Sequence, residues 1–169
     1  MSNQTSGQTS SADQTTVYNG DPLQRLIEIE AIKQLKARYY RLIDTQQWDE
    51  LERIFVEDAS FSFPGDAAGE RQGAATLVGY ARNSLEGGRS VHHGHMPEIE
   101  LTSATTARGI WAMSDYCEYR TQPGMRRFLI GSGHYHEEYV KQDGEWKIAR
   151  LRLTRLRVDT TVTKSEHIV

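Results

Sequence analysis

Three of the six histidines fall within four positions, at His92, His93 and His95. Imidazole can act as a general base near neutral pH, and it is also the commonest metal ligand in proteins. The cluster follows a Gly-Gly pair at positions 87 and 88 and begins a stretch with strand-like composition. It therefore predicts either a base carried on a strand or part of a metal site.

Which histidine faces the core depends on whether that strand is regular. In an unbroken strand, alternation puts His93 and His95 on the face of the apolar residues that follow and His92 on the opposite face. Gly94 and Pro97 are residue types that accompany bulges and edge positions. A register shift there would turn His92 inward, and spacing alone leaves both orientations open.

The metal alternative rests on His93, His95 and Glu100, which match an H-x-H-x4-E pattern similar to the first cupin motif. Imidazole and carboxylate ligands from one strand suit iron, manganese or nickel. A cupin also needs a second motif with a separate histidine, and a jelly roll of many strands. No later segment supplies that motif, and the first half of the chain has helical periodicity. We therefore predict no metal and no organic cofactor.

A carboxylate lies in an otherwise apolar row of a second predicted strand. Alternation over 110–119 puts Asp115 on one face with Trp111, Met113, Cys117 and Tyr119. An unpaired buried carboxylate is costly. Asp115 should therefore either hold a proton or face a polar partner in a cavity.

Two further polar patterns occur toward the C-terminus. Tyr135 and Tyr139 fall on one face of a predicted strand and His134 and His136 on the other, so only one pair can face a pocket. Arginines recur among leucines at positions 150, 152, 155 and 157. Such a stripe is typical of a solvated face or a subunit contact. The sharper alternative is a contact with an anionic carrier group on a substrate, such as coenzyme A.

Helical periodicity precedes strand periodicity along the chain. An N-cap at Asp21 followed by Pro22 starts a long amphipathic helix that ends near Asp44. Apolar spacing predicts a second helix from Trp48 to Phe55, a short strand over 59–63 and a third helix over 73–85. Long strands are predicted over 91–101, 107–120, 126–141 and 146–158. This order predicts an α+β domain whose curved, mainly antiparallel sheet wraps around the helices.

Length and charge limit the possible classes of function. A chain of 169 residues with 37% hydrophobic content fills one domain. A net charge of −3 gives no basic field for nucleic acid or an anionic membrane, and one cysteine excludes an internal disulfide. No apolar run has the length of a membrane span and no signal region is recognisable, so we expect a cytoplasmic protein. Polar composition predicts a disordered tail over 1–20, and we expect the domain at 21–160 and a C-terminal tail at 161–169.

Three segments together resemble one known family. They run from Arg38 to Leu51, from Val91 to Gly94 and from Gly144 to Ile148. Their order and the D-x3-W-D-x-L and H-x-G pieces are similar to the SnoaL-like branch of the nuclear transport factor 2-like superfamily. Scytalone dehydratase, bile acid 7-alpha-dehydratase and hexachlorocyclohexane dehydrochlorinase belong to that branch. The resemblance covers about residues 23–158 and implies a conical α+β barrel around an apolar pocket.

The resemblance also implies roles for particular residues. In the family, a His-Asp dyad performs eliminations, and its members match His92 and Asp44. A pocket tyrosine and an additional aspartate of the bile acid enzyme match Tyr39 and Asp115. We expect these four to be catalytic, and we expect substrate contacts from five further residues: Tyr40, Trp111, Met113, Tyr135 and His93.

The expected activity is that of a cofactor-independent lyase or isomerase. An aspartate that fixes the imidazole tautomer lets the other nitrogen remove a proton next to a carbonyl. The expected partner is a small hydrophobic cyclic carbonyl compound, free or as a coenzyme A thioester, and the expected assembly is a homodimer or homotrimer. A non-catalytic role is the alternative from another class, because the small subunits of aromatic-ring-hydroxylating dioxygenases share the implied fold.

Overall fold

The computed structural model describes Tyr18 and residues 20–65 and 69–164. Three helices and six strands follow one another in this part of the chain. The helices are α1 (Pro22–Asp44), α2 (Trp48–Arg53) and α3 (Ala74–Leu85). The strands are β1 (Phe55–Ser62), β2 (Arg71–Gln72), β3 (Arg89–Leu101), β4 (Thr106–Arg120), β5 (Met125–Gln142) and β6 (Glu145–Lys164). None of the described helices is long and apolar enough to cross a membrane.

The strands form one sheet in the order β2-β1-β6-β5-β4-β3. All neighbours are antiparallel except β1 and β6, which run parallel. Helix α1 packs on β3 and β6, and α3 packs on β1, so the core lies between the helices and the concave face of the sheet. The predicted conical α+β barrel is confirmed.

Helix α1 begins and ends as its sequence indicates. The Asp21 side chain accepts a hydrogen bond from the backbone N–H of Gln24, and Pro22 occupies the first turn. The buried stripe includes Ile32, Leu35 and Tyr39. The helix therefore places Tyr39 in the core and its last residue, Asp44, at the end of the barrel.

An ion pair lies in the middle of this core. Lys36 on α1 donates a hydrogen bond to Glu137 on β5, and both side chains are 0% exposed. Tyr139 also donates its hydroxyl hydrogen to Glu137. The Lys36 ammonium lies 4.0 Å from the ring centroid of Tyr39 and 3.8 Å from that of Tyr135. Burial lowers the pKa of Lys36, and the charge of Glu137 opposes that shift. The pair anchors α1 to the sheet directly behind two aromatic rings.

Two expectations about the elements need correction. Phe55 was expected in the second helix, but α2 ends at Arg53 and Phe55 begins β1. Pairing decides this, since Phe55 is opposite Ile148 and the Ile54 carbonyl accepts the Ile148 N–H at 3.0 Å. The two-residue strand β2 was missed because its length gives no periodicity.

The expected domain limits are only partly within the described residues. Strand β6 continues to Lys164, four residues beyond the expected boundary at 160. At the other end, the backbone N–H of Tyr18 donates to the Leu101 carbonyl at 3.2 Å. The rest of the expected tails, at 1–17, 19 and 165–169, lies outside the described residues. The division into domain and tails stays a prediction.

The convex face of the sheet carries exposed apolar side chains. Val91, Tyr116 and Ile130 are 46%, 40% and 57% exposed. Apolar surface of this kind is what a neighbouring subunit covers in an oligomer. The homodimer or homotrimer expected from the sequence stays a prediction.

The buried ion pair yields a stability prediction. Replacing Lys36 alone, as Lys36→Met, leaves Glu137 charged and without its cation, which costs about 3–5 kcal/mol of the free energy of unfolding. The double variant Lys36→Met/Glu137→Gln removes both charges and should recover much of that loss. Urea denaturation monitored by circular dichroism measures both. Equal losses in the single and double variants would contradict the assignment of the cost to an uncompensated carboxylate.

Candidate functional site

A bulge in β3 determines which histidine enters the barrel. Gly94 is opposite Met113 on β4 and Pro97 is opposite Trp111, so three steps on β3 match two on β4. The extra residue reverses the faces of the strand. His92 on the near side of the bulge therefore faces inward with Ser90, and Leu101 faces inward beyond it. The register shift that Gly94 and Pro97 indicated is present.

Asp44 receives three hydrogen bonds from β3. Its Oδ1 lies 2.6 Å from His92 Nδ1, and its Oδ2 accepts the backbone N–H of His92 at 2.8 Å. Ser90 donates its hydroxyl hydrogen to Asp44 Oδ1 at 2.8 Å. The side chain of His92 is 7% exposed and that of Asp44 is 20% exposed. With Nδ1 engaged by the carboxylate, Nε2 is the imidazole nitrogen available to exchange a proton.

Tyr40 fixes the imidazole from one side. Its ring stacks on that of His92 with centroids 6.4 Å apart and planes inclined by 19°. Gly94 permits this arrangement, because a Cβ at that position would lie 2.5 Å from Tyr40 Cε2. Tyr40 thus supports His92, although it was expected to contact substrate, and it is not among the residues that line the cavity.

A cavity of about 680 Å³ opens beside the dyad. Its inner wall is mainly apolar and includes Ile43, Leu85 and Leu153. The expected residues His92, Tyr39, Asp115 and Tyr135 all line it. A volume of this size lies within the range of pockets for small ligands.

Asp115 has a cationic partner in the cavity wall. Arg155 on β6 donates from its two terminal nitrogens to the two carboxylate oxygens of Asp115, at 2.7 and 2.6 Å. Burial lowers the pKa of Arg155, but the hydrogen bond and charge of Asp115 raise it by more. Of the two states expected for Asp115, the structure shows the one with a polar partner.

Arg155 is a pocket residue that the sequence analysis did not assign to the site. It was grouped with Arg150, Arg152 and Arg157 as one stripe, which obscured the alternation. Arg155 has the same parity as the buried residues Leu151 and Leu153, and that parity was the available signal. A register shift between Ser132 and Gly133 on β5 then separates Arg155 from Arg157.

Two of the tyrosines that line the cavity, Tyr39 and Tyr135, are deeply buried and protonated. Tyr39 and Tyr135 are 1% and 2% exposed. Burial raises the pKa of both, and a hydrogen bond with Tyr135 only partly offsets the increase in the pKa of Tyr39. The Tyr135 hydroxyl donates to Tyr39, so of these two phenols Tyr39 is the one that can donate a hydrogen bond to a ligand carbonyl throughout the neutral range.

Three other expected residues do not reach the cavity. Trp111 and Met113 face inward and are buried, but Trp111 donates its Nε1–H to Tyr139 at 2.8 Å, and both residues belong to the packed core. His93 faces outward on the convex side of the sheet, opposite Ser114. Its assignment to the pocket is a correction that follows from the bulge, since neighbours on a strand point to opposite faces.

Neither the fold nor the potential ligand atoms support the alternative of a metal site. The fold is not a jelly roll, and Glu100 binds Arg108 at 2.8 Å on the outer face. Within the described residues, one set of three potential ligand atoms lies within 4.8 Å, from His92, Asp115 and Cys117. Arg155 already holds both oxygens of Asp115. Burial raises the pKa of Cys117 to about 11. These donors suit a divalent cation poorly.

Comparison with known proteins agrees with this architecture. The family described as the SnoaL-like domain matches residues 24–152, most of the chain. The chain belongs to the SnoaL-like family. The SnoaL-like chain is 26% identical over 134 residues to the "Probable cyclase FGR4" of Gibberella zeae, covering 74% of this chain and 89% of that protein.

Solved structures also resemble this SnoaL-like chain. The Mycobacterium tuberculosis protein Rv3472, a protein of unknown function solved as a single-residue variant, is 33% identical, with a TM-score of 0.64 and 78% of each chain covered. A type 2 hexachlorocyclohexane dehydrochlorinase is 23% identical, with a TM-score of 0.71, and covers 88% of this chain and 97% of its own. The second likeness concerns the fold alone.

The contact between Gly94 and Tyr40 yields a prediction. Gly94→Ala adds a Cβ where the Tyr40 ring now lies, and we expect it to displace the ring from His92 and to lower the free energy of unfolding by about 1–3 kcal/mol. Gly79→Ala is the matched control because no heavy atom lies within 4 Å of that Cβ and α3 is helical there. It should raise stability by up to about 1 kcal/mol. Thermal denaturation of both variants checks this, and equal effects of the two changes would contradict it.

Proposed function

We propose that this SnoaL-like protein is a cofactor-independent lyase or isomerase that removes a proton next to the carbonyl of a hydrophobic cyclic compound. The observation that carries the proposal is the 2.6 Å contact between His92 Nδ1 and Asp44 Oδ1 at the wall of the cavity. A dyad with one nitrogen held by a carboxylate and the other facing an apolar cavity is suited to general base catalysis. The name of one similar protein, a probable cyclase, supports conversion of a small molecule.

The first step assigned to the dyad is proton abstraction from carbon. Asp44 holds the Nδ1–H tautomer, so Nε2 of His92 accepts the proton and the carboxylate then stabilises the imidazolium. The hydrogen bonds from Ser90 and from the His92 backbone N–H keep the carboxylate oriented. A base positioned in this way contributes about 10²- to 10⁴-fold in rate.

Negative charge develops on the carbonyl oxygen as the proton leaves. Tyr39 can donate a hydrogen bond to that oxygen because its buried hydroxyl remains protonated, and Tyr135 supports Tyr39 by donating its own hydroxyl hydrogen to it. Arg155 adds a cation to the same cavity, where its position is held by Asp115. Asp115 is thus a positioning residue in this proposal. Proton return from His92 to a second atom completes an isomerisation, and departure of a neighbouring group completes an elimination.

The non-catalytic alternative receives less support. A member of the fold that serves only as a structural subunit has no need of an open pocket beside the dyad. Here a cavity of about 680 Å³ extends to His92. A small hydrophobic substrate, whether free or as a coenzyme A thioester, remains part of the proposal.

The dyad is tested by replacing adjacent histidines that face opposite ways. His92→Gln should slow proton abstraction by about 10²- to 10⁴-fold. His93→Gln, on the convex face, should leave the rate unchanged. The measurement is proton NMR of deuterium incorporation next to the carbonyl of 2-tetralone and a 3-ketosteroid in D₂O, which reports the base step whatever the leaving group. Wild-type exchange rates in His92→Gln, or no exchange by the wild type across such ketones, would contradict the proposal.

The role of Arg155 is tested against its exposed neighbour. Arg155→Met should lower the exchange rate by about 10²-fold because it removes a donor to the developing oxyanion. It should also lower stability, since Asp115 loses its cation. Asp115→Asn in addition should restore stability without restoring the rate. Arg157→Met is the control, because that side chain is 75% exposed. A double variant that recovers the rate would assign Arg155 a structural role only.

A further inference from the structure

Two exposed arginines line the cavity at a distance from the packed core. Arg120 is at the end of β4 and Arg127 is near the start of β5. They flank the turn that joins these strands. Arg127 is opposite Tyr119 on the cavity face, and Arg120, which is opposite Arg126, reaches the cavity from the end of β4. We call this pair the mouth arginines. Nothing in the proposed proton transfer uses them.

The mouth arginines have no acidic partner among the described residues. Within the described residues, neither forms an ion pair with a carboxylate inside 4.0 Å. Other arginines nearby are neutralised, since Arg126 binds Glu118 and Arg155 binds Asp115. The mouth therefore carries positive charge on a chain whose net charge is −3.

Neutral contacts hold both mouth arginines in place. The Arg127 guanidinium lies 4.7 Å from the ring centroid of Tyr119, which itself lines the cavity. The Arg120 side chain lies against Gly87, where a Cβ would come within 2.8 Å of Arg120 Cδ. Gly87 has a φ of 65°, a conformation that glycine adopts without strain. Positioned guanidinium groups of this kind bind carboxylate, sulfonate or phosphate oxygens with paired hydrogen bonds.

We propose that the mouth arginines form an anion subsite, so that the preferred ligands are amphipathic, with an apolar ring system in the cavity and an acidic group at its mouth. The inference rests on the proposed function only in taking this cavity as the substrate site. The apolar inner wall accepts the rings. Asp115 uses one N–H of each terminal nitrogen of Arg155 and repels a second carboxylate or phosphate there, so the acidic group lies at the mouth. The acid is either a compact group on the substrate or the phosphate of a carrier.

A matched pair of fluorescent probes isolates the subsite. The dye 8-anilinonaphthalene-1-sulfonate and the neutral N-phenyl-1-naphthylamine share their rings and differ in the sulfonate. We expect Arg127→Gln and Arg120→Gln each to weaken binding of the sulfonate dye about three- to tenfold and to leave the neutral dye unchanged. Arg126→Gln is the control because Arg126 is paired with Glu118. Higher ionic strength should weaken only the sulfonate dye.

Three results would overturn the subsite. Both dyes could respond equally to Arg127→Gln and Arg120→Gln, or Arg126→Gln could weaken the sulfonate dye as much as they do. The sulfonate dye could also bind unchanged to Ser84→Trp, which narrows the cavity at an exposed lining position and should weaken both dyes. The dye titrations report binding and the deuterium exchange reports proton abstraction, so loss of catalysis and loss of the subsite are separate results.

Competition identifies the source of the anion. 1-Naphthoate displaces the sulfonate dye from the wild type if the subsite takes a compact acid on the ring system. Free coenzyme A displaces it if the subsite takes carrier phosphates. Either displacement should weaken in Arg127→Gln, and displacement by neither compound would overturn the proposal.

Discussion

One extra residue in β3 determines which side chains of that strand face the interior of the protein. Between Gly94 and Pro97 the strand gains a residue over β4, and the faces of β3 exchange there. Without that exchange, a strand whose far end buries Leu101 would bury His93 and expose His92. The contact between His92 and Asp44 therefore depends on backbone register before it depends on side-chain chemistry. Gly94 contributes to the orientation of His92 in two ways, because it borders the bulge and its missing Cβ leaves space for Tyr40.

The charged side chains inside the barrel form pairs with different structural roles. Lys36 and Glu137 are fully enclosed and join α1 to the sheet. Asp115 and Arg155 lie at the cavity wall, where the carboxylate holds a guanidinium beside the space a ligand would fill. Asp44 instead faces an imidazole and two hydrogen-bond donors. The low effective dielectric of such a site strengthens each interaction and makes an unpaired partner costly.

Much of this arrangement was accessible from the sequence, for identifiable reasons. The start of α1 follows from capping chemistry at Asp21 and Pro22, and alternation correctly placed Asp115 on the inner face of β4. The family resemblance supplied Asp44 and His92 as partners, which spacing alone left open. The position of Phe55 escaped because it depends on parallel pairing with β6, a contact between residues far apart in the chain. Arg155 escaped because four arginines were interpreted as a stripe rather than by strand parity.

The three hydrogen bonds at Asp44 have an evolutionary consequence. They close the end of α1 onto β3, so the carboxylate is under selection for folding as well as for any chemistry. A descendant that abandoned catalysis would still lose stability if it replaced this aspartate. Replacing His92 would remove one of the three hydrogen bonds, because the backbone amide that binds Asp44 Oδ2 is present in any residue at position 92 except proline. After a loss of activity, sequence change would therefore replace His92 before it replaced Asp44.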